Sequence, residues 1–382
     1  MSKNFQLNRG VVANAVNVAG AFAGQNNVMQ IISTVKLTFH KNCLIVRSTD
    51  SEAALRMVVD LGYNVDEKTE VCVDKNILAR ALNVIREDTI SFVLSDDEKT
   101  MTINYGSGHF DMPTFDASLF PSMSISGESQ TFNIPSDVLR TVIKDGGNFV
   151  FADSTEPRLC SIYFVVKGNT LTVYSTNRVI VYKSQYELDM DYGEGISCMI
   201  PPKAFRPLID MCGFGDVVTC SLRGRNAMFS CGNLSLCTRL VDGNYPDVEL
   251  LVRIQRPEAV IVDRASLLDT ILRIGVASGD SNFSVFDIYK DKITVTADDI
   301  MCGKKCEESL PCNSTTEFRI GINADFVKRA LGVVKTPQVM LEVMDGTKPM
   351  GFRPIDAAFP LVLIAPMSIS KPAQKPEAEE QE

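Results

Sequence analysis

The residues of this 382-residue chain that could do chemistry are few and scattered. Two histidines, His40 and His109, each fall inside an alternating apolar–polar run, where a lone imidazole is a surface or interface group rather than a general base. Cys302, Cys306 and Cys312 are the densest thiols, but no Cys-x-x-Cys pair and no nearby histidine completes a tetrahedral zinc set. Asp298-Asp299 and Asp96-Asp97-Glu98 could hold a divalent cation, yet they stand at a strand end and a hairpin turn, where acids are common. No Walker A loop and no Gly-x-Ser-x-Gly occurs, and Gly213-Phe214-Gly215 reads as a helix-ending turn. The expectation is no catalytic residue, no metal and no cofactor.

Charge says more than chemistry. Six segments carry apolar residues at helical spacing: about 8–23, 74–86, 135–146, 202–212, 263–278 and 323–335. Each opens on Asn, Asp or Pro, residues suited to an N-cap or a first turn. They hold thirteen basic residues (Arg9, Lys75, Arg80, Arg86, Arg140, Lys144, Lys203, Arg206, Arg264, Arg273, Lys328, Arg329 and Lys335) against seven acids, all aspartate, in a chain of net charge −9. Helices accept Glu as readily as Lys, so its absence here marks a basic helical surface on an acidic protein. Such a surface attracts phosphates without reading sequence.

Those helices must be positioned by strands, and the strands repeat. Thr34–Asp50, Leu159–Asn177 and Phe283–Asp298 each read as an alternating strand, a short Lys, Asn, Gly or Asp turn, and a second strand, a hairpin signal. The copies recur at roughly 120–130 residues, the size of a small domain rather than of a solenoid unit. Each third runs strand–helix–strands twice. Linkers are expected at 122–130, a Ser/Gly-rich polar run, and at 251–258.

Apolar residues at 45% and charged residues at 22% suit a packed globular protein. No run is apolar enough to span a membrane, no secretory h-region is visible, and eleven cysteines read as reduced thiols, so a cytoplasmic protein is expected, which the resemblance described below would make nucleoid-associated. Residues 371–382, rich in Pro, Ala and Glu, read as a disordered acidic tail.

Ser48-Thr49-Asp50, Leu119-Phe120-Pro121, Leu240-Val241-Asp242-Gly243-Asn244-Tyr245-Pro246-Asp247, Ile320-Gly321-Ile322-Asn323 and Leu363-Ile364-Ala365-Pro366-Met367 together carry a resemblance. In order and spacing, from Phe5 to Ile369, the chain resembles the β sliding clamp, the processivity subunit of bacterial replicative DNA polymerase. The resemblance implies an α+β clamp fold of three similar domains, 1–127, 128–252 and 253–370, each with two helices on an inner face and antiparallel sheets outside. It implies a head-to-tail homodimer closing a ring around double-stranded DNA, with no chemistry. A clamp-loader ATPase would open the ring. The loader and the replicative DNA polymerase would dock through short hydrophobic peptides.

Residue by residue, the resemblance places a peptide groove at Leu159, Thr176, Val179, Val181, Pro246, Leu251, Leu363, Ile364, Pro366 and Met367. It places Arg9, Gln25, Lys75, Arg80, Arg140, Lys144, Lys203, Arg206, Arg273, Lys328 and Arg329 toward DNA, and Phe110, Met112, Val276 and Ala277 at the ring interface. The chain departs from the family pattern in the groove strand. Where the family continues Thr-Asp-Gly-His-Arg-Leu, this chain has Thr176-Asn177-Arg178-Val179-Ile180-Val181, and Leu250 replaces a basic residue before Leu251. These departures suggest a more apolar groove and a divergent or phage-encoded clamp. Two readings from other classes stand beside it: a metal-dependent nuclease using Asp298 and Asp299, and a peptide-binding scaffold that does not encircle DNA.

Overall fold

The computed structural model describes residues 3–23, 29–123, 127–153, 155–299 and 303–369. Gln25, Cys302 and the tail 371–382 lie outside them. Among the described residues are seven α-helices and twenty-two strands. The helices are α1 (Arg9–Ala19), α2 (Lys75–Val84), α3 (Ser136–Thr141), α4 (Arg206–Met211), α5 (Glu249–Val252), α6 (Arg264–Ala277) and α7 (Ala324–Val333). None is long and apolar enough to cross a membrane.

The six expected helical segments are α1 to α4, α6 and α7, and local chemistry explains their bounds. Side-chain caps start four of them: Asn8 accepts from Val11 N, Asp74 from Asn76 N and Ile77 N, Asp263 from Ser266 N, and Asn323 from Phe326 N. The repeat is visible atom by atom. The first helix of each copy opens with an amide that donates across the copy: Arg9 to Asp88 O, Ser136 to Asp216 O and Arg264 to Pro337 O, each at 2.8 Å. The second helix of each copy ends on one more helical bond, from Ile85 to Ala81 O, Cys212 to Leu208 O and Val334 to Ala330 O, after which the chain turns extended.

Two compact units form. One contains 1–143, 164–169 and 188–243; the other contains 144–163, 170–187 and 244–382. In the first, an antiparallel sheet runs in the order Lys3–Asn8, Thr89–Leu94, Thr100–Tyr105, Gly108–Phe115, Ala53–Asp74, Leu234–Arg239, Asn226–Cys231, Val217–Arg223, Gln130–Pro135. The seam Leu55↔Leu236 and Met57↔Leu234 joins strands from the first and middle copies. In the second unit the order is Thr170–Thr176, Ile180–Glu187, Leu361–Ile364, Met350–Pro354, Gln338–Val343, Glu258–Asp263, Lys304–Ser314, Lys292–Asp299, Phe283–Ile288, Phe318–Asn323. Stacked rings fill the cores, Phe5 on Phe39 at 3.8 Å and Phe149 on Tyr182 at 5.1 Å.

One expectation is corrected. The hairpin of the third copy forms, with Ile288 opposite Ile293, but that of the first does not. Thr34–Thr49 is one strand, paired along its length with Ala53–Asp74. Lys41 takes a left-handed φ of 53° and the register slips on either side of it, so the polar residues make a bulge rather than a turn. The expected linker at 251–258 is held in place. It begins inside α5, and Arg256 ties it down by donating to Leu251 O, Ile254 O and Pro349 O at 2.7–3.0 Å.

One glycine sets where the chain's last described segment lies. Met367 N donates to Gly321 O at 2.8 Å, and a Cβ on Gly321 would stand 2.6 Å from Met367 O. Gly321→Ala should therefore push this segment off the strand. Urea unfolding should show a loss of about 1–3 kcal/mol, the usual penalty of overpacking, and the Met367 amide should exchange faster.

Candidate partner groove and nucleic-acid interface

The groove residues fall in the second unit, and strand register decides which of them share a face. Thr170–Thr176 turns into Ile180–Glu187, which pairs in turn with Leu361–Ile364. Asn177 builds the turn, its Oδ1 accepting from Val179 N at 3.1 Å and Ile180 N at 3.0 Å. Arg178 sits in it at φ 80°, where the family pattern has glycine. The Thr176 hydroxyl accepts from Arg178 N, and the Arg178 guanidinium pairs with Glu156 and lies over the Phe151 ring.

Val181 faces Thr176 on one side and Leu363 on the other, so these three share a face. Val181 and Leu363 join Val248 and Leu361 in a buried apolar cluster, flanked by Tyr174, Tyr245, Val252 and Phe359. Val179 (41% exposed), Leu251 (38%) and Pro246 lie open to solvent, and Pro366 and Met367 are half-buried. Ile364 is corrected. It pairs with Ile180, one residue out of phase with Leu363, and is wholly buried on the opposite face. Leu159 is buried without being a member of the cluster. Val248, Leu361, Tyr174 and Phe359 were not foreseen; the period-two spacing of Leu361 to Leu363 and of Tyr174 to Thr176 was the available signal.

A charge lies in this apolar floor. Lys183 is two residues beyond Val181 on the same face, with a side chain only 8% exposed. Its Nζ meets the Glu249 carboxylate at 2.9 and 3.1 Å and stands over the Tyr174 and Phe359 rings at 5.4 and 5.5 Å. Tyr174 O–H donates to Glu249 at 2.8 Å, and Arg253 Nε is 3.7 Å from it. Burial pushes the Glu249 carboxyl up, but hydrogen bonds from Lys183 and Tyr174 and the charges of Lys183 and Arg253 outweigh it, leaving Glu249 below its ordinary range. Burial, then the bond to Glu249, raises the Tyr174 phenol. A depressed carboxyl stabilises the fold fully above its unfolded pKa and loses that contribution as pH falls through the folded value. Thermal melting between pH 6 and 3 should accordingly fall less steeply for Glu249→Gln than for the parent chain.

The basic helix residues divide by what they touch. Arg9 donates to Leu82 O at 3.5 Å, Arg140 to Ile209 O and Cys212 O at 2.7 and 2.9 Å, and Arg264 to Leu331 O at 3.2 Å. In every copy an arginine of the first helix closes the carbonyl end of the second, satisfying orphan acceptors and the negative end of the dipole. Arg9 and Arg140, both expected toward DNA, are thus also structural caps. Arg273 pairs with Glu308 at 2.5 Å, which offsets its charge, whereas Lys328 and Arg329 share the one carboxylate of Asp325 at 3.0 and 2.7 Å and keep a net positive charge between them. Lys75 is half-buried, its stem against Gly20. Arg80 and Lys144 are exposed and form no ion pair among the described residues. Lys203 and Arg206 have described backbone only. Methionine at Arg140 or Arg264 should lower unfolding free energy by about 1.5–3 kcal/mol each, the worth of a charged hydrogen bond, and at Arg9, whose bond is longer, by less. The same change at Arg80 or Lys144 should stay within about 0.5 kcal/mol.

The interface residues also divide. Phe110 is half-exposed and lines an apolar cavity of about 280 Å³ with Ile77, Val84, Ile85 and Tyr105, Arg80 at its rim. Met112, on the same strand face, is buried. On α6 Val276 is 75% exposed, whereas Ala277 is buried on the stripe of Leu267, Ile271 and Ile274. Ala277 is therefore corrected to core. The exposed partner of Val276 is Leu272, one helical turn earlier. For the remaining chemical candidates, Cys306 and Cys312 lie half-exposed on Lys304–Ser314, and Asp298 and Asp299 stand opposite Lys305 and Lys304. No cluster of three metal-ligating side chains occurs among the described residues.

Three family models match end to end: the DNA polymerase III beta subunit N-terminal domain over residues 3–124, the central domain over 133–247 and the C-terminal domain over 255–368. The chain belongs to the DNA polymerase III beta subunit family. The beta sliding clamp of Chlamydia pneumoniae is 22% identical over 367 residues, 96% of this chain and 99% of that protein. That of Halalkalibacterium halodurans is 21% identical over 377 residues, 95% of this chain and 99% of that protein. The DNA polymerase III subunit beta of Pseudomonas aeruginosa has the same fold, with a TM-score of 0.90 at 19% identity, covering 96% of this chain and 100% of that one. A Pseudomonas aeruginosa sliding clamp bound to griselimycin gives 0.89 at 19% identity, covering 96% and 99%. The architecture is the family's three-domain clamp fold of helices and antiparallel sheets.

Proposed function

We propose that this protein is a sliding clamp: two chains pair head-to-tail into a ring that encircles duplex DNA and tethers the replicative polymerase as a processivity factor. The observation that carries the reading is family membership across three consecutive domains. The domains are taken as 1–127, 128–252 and 253–370, with an acidic tail at 371–382, and the protein acts in the cytoplasm at the nucleoid. The mechanism is topological and non-catalytic. Diffuse attraction to phosphates, without base contacts, lets the ring slide, and tethering raises a partner's local concentration on DNA. Lys75, Arg80 and Lys144 are the DNA-facing candidates whose charge is least committed elsewhere.

Two free strand edges support pairing of chains. Gly108–Pro113 is paired on one side only, as is Lys304–Pro311, among the described residues. An unpaired edge of this length is a template for another strand. Phe110 with its apolar cavity lies beside the first, and α6, tied by Arg273 to Glu308, presents Leu272 and Val276 beside the second. The apolar face around Val181, Leu363 and Leu251 supports docking of polymerase and clamp-loader peptides by aliphatic or aromatic anchors. Neither alternative gains support: the Asp298-Asp299 pair faces lysines, and a DNA-free scaffold would have no use for the exposed charges of Arg80 and Lys144.

A loaded clamp should remain on nicked circular DNA and run off once the circle is linearised. Equal loss from both forms would overturn the reading. Arg80→Glu with Lys144→Glu should weaken retention and make its salt dependence shallower, with the melting temperature unchanged.

A further inference from the structure

We infer that Lys183 is the positioning residue of the partner groove: its buried ammonium pins Glu249 and so sets where α5 presents Leu251. The inference rests on the groove reading above. A helix of four residues cannot hold itself, because one turn fixes several dihedrals for very few hydrogen bonds. The backbone bonds of α5 stay local, from Leu251 N and Val252 N to Val248 O and from Arg253 N to Glu249 O. Its orientation must come from outside.

Two side-chain ties supply it. Arg256 holds the Leu251 carbonyl at 2.7 Å, fixing the end of the helix. Lys183 and Tyr174, from neighbouring strands, hold the Glu249 carboxylate at its start. Lys183 and Tyr174 are themselves cross-strand partners, so the carboxylate is clamped to a rigid sheet rather than to a loop. Between the ties, Val248 and Val252 pack on Val181, Leu361 and Leu363, and Leu250 and Leu251 are left outward.

Position also argues for a dedicated role. The face shared by Val181, Leu361 and Leu363 calls for an apolar side chain at 183, and a lysine there is tolerable only with its charge matched. Lys183 spends its donors on Glu249 and its field on two aromatic rings, so the groove floor stays electrically quiet for an apolar occupant. Without Lys183, Glu249 would keep only the Tyr174 hydroxyl and the longer contact to the exposed Arg253, and α5 would be free to pivot on its Arg256 end.

The test uses the full chain and griselimycin as probe, with affinities from calorimetry and melting temperatures alongside. Leu251→Ala and Lys183→Met should each weaken binding about tenfold. The double variant should be no weaker than Lys183→Met alone, because contacting residues couple when one places the other. Amide exchange at Leu250–Val252 should quicken in Lys183→Met and not elsewhere in the unit. If Lys183→Met does not fold, Glu249→Gln, neutral and of the same shape, takes its place with the same expectation. Weakening by Leu251→Ala with full affinity in Lys183→Met and Glu249→Gln would overturn the positioning role and leave the groove standing. No binding by the parent chain, or no effect of Leu251→Ala, would overturn the groove and the inference together.

Discussion

Arg9, Arg140 and Arg264 each reach across a helix pair to carbonyl oxygens at the end of the second helix. Every copy depends on this tie. A helix leaves its last carbonyls without partners, and a short one has little else to hold its axis. α4 has six residues and α3 six, so packing alone gives them little purchase. Together with the amides of Arg9, Ser136 and Arg264, which bond to the chain just beyond the second helix, the arginines lock the two helices of each copy to one another. Sheets and loops vary between copies around that fixed pair.

The tie changes the meaning of the positive charge. A surplus of basic residues on helices looks like a phosphate-binding surface until each guanidinium is followed to its partner. Some close helix ends, some neutralise Asp325 or Glu308, and only a few point to solvent uncommitted. A sliding contact needs weak, diffuse attraction rather than tight pairs, and a sparse set of free charges on an acidic chain suits that demand.

The groove follows the opposite logic. Its floor is apolar by strand alternation and admits one charge, Lys183, which is matched at once by Glu249. Arg178 adds a local strain: a left-handed residue with a side chain where glycine would be free of it, held by Glu156 and the Phe151 ring. Arg178 belongs to the stretch from Thr176 to Val181 where the chain leaves its family's pattern, as it does again at Leu250.

Six helices, their caps and most strands were legible in the sequence, because Asn and Asp caps and apolar spacing are local signals. Asn8, Asp74, Asp263 and Asn323 each announced a helix that formed. The apolar face proposed as the groove was legible through alternation. What was not legible needed partners distant in sequence. Phe39 to Cys43 carries turn residues, yet the strand 53–74 pairs along both sides of them and turns the hairpin into a bulge. Ile364 and Ala277 have the right composition for contact surfaces, but register and helical phase face them inward. By itself the sequence determined the repeat, the helix pairs and the family, all written in short-range spacing. Tertiary structure alone decided which arginines are caps, which are paired and which are free, and that Lys183 meets Glu249, because a charge acts on whatever lies within a few ångströms of it, and sequence distance does not report that.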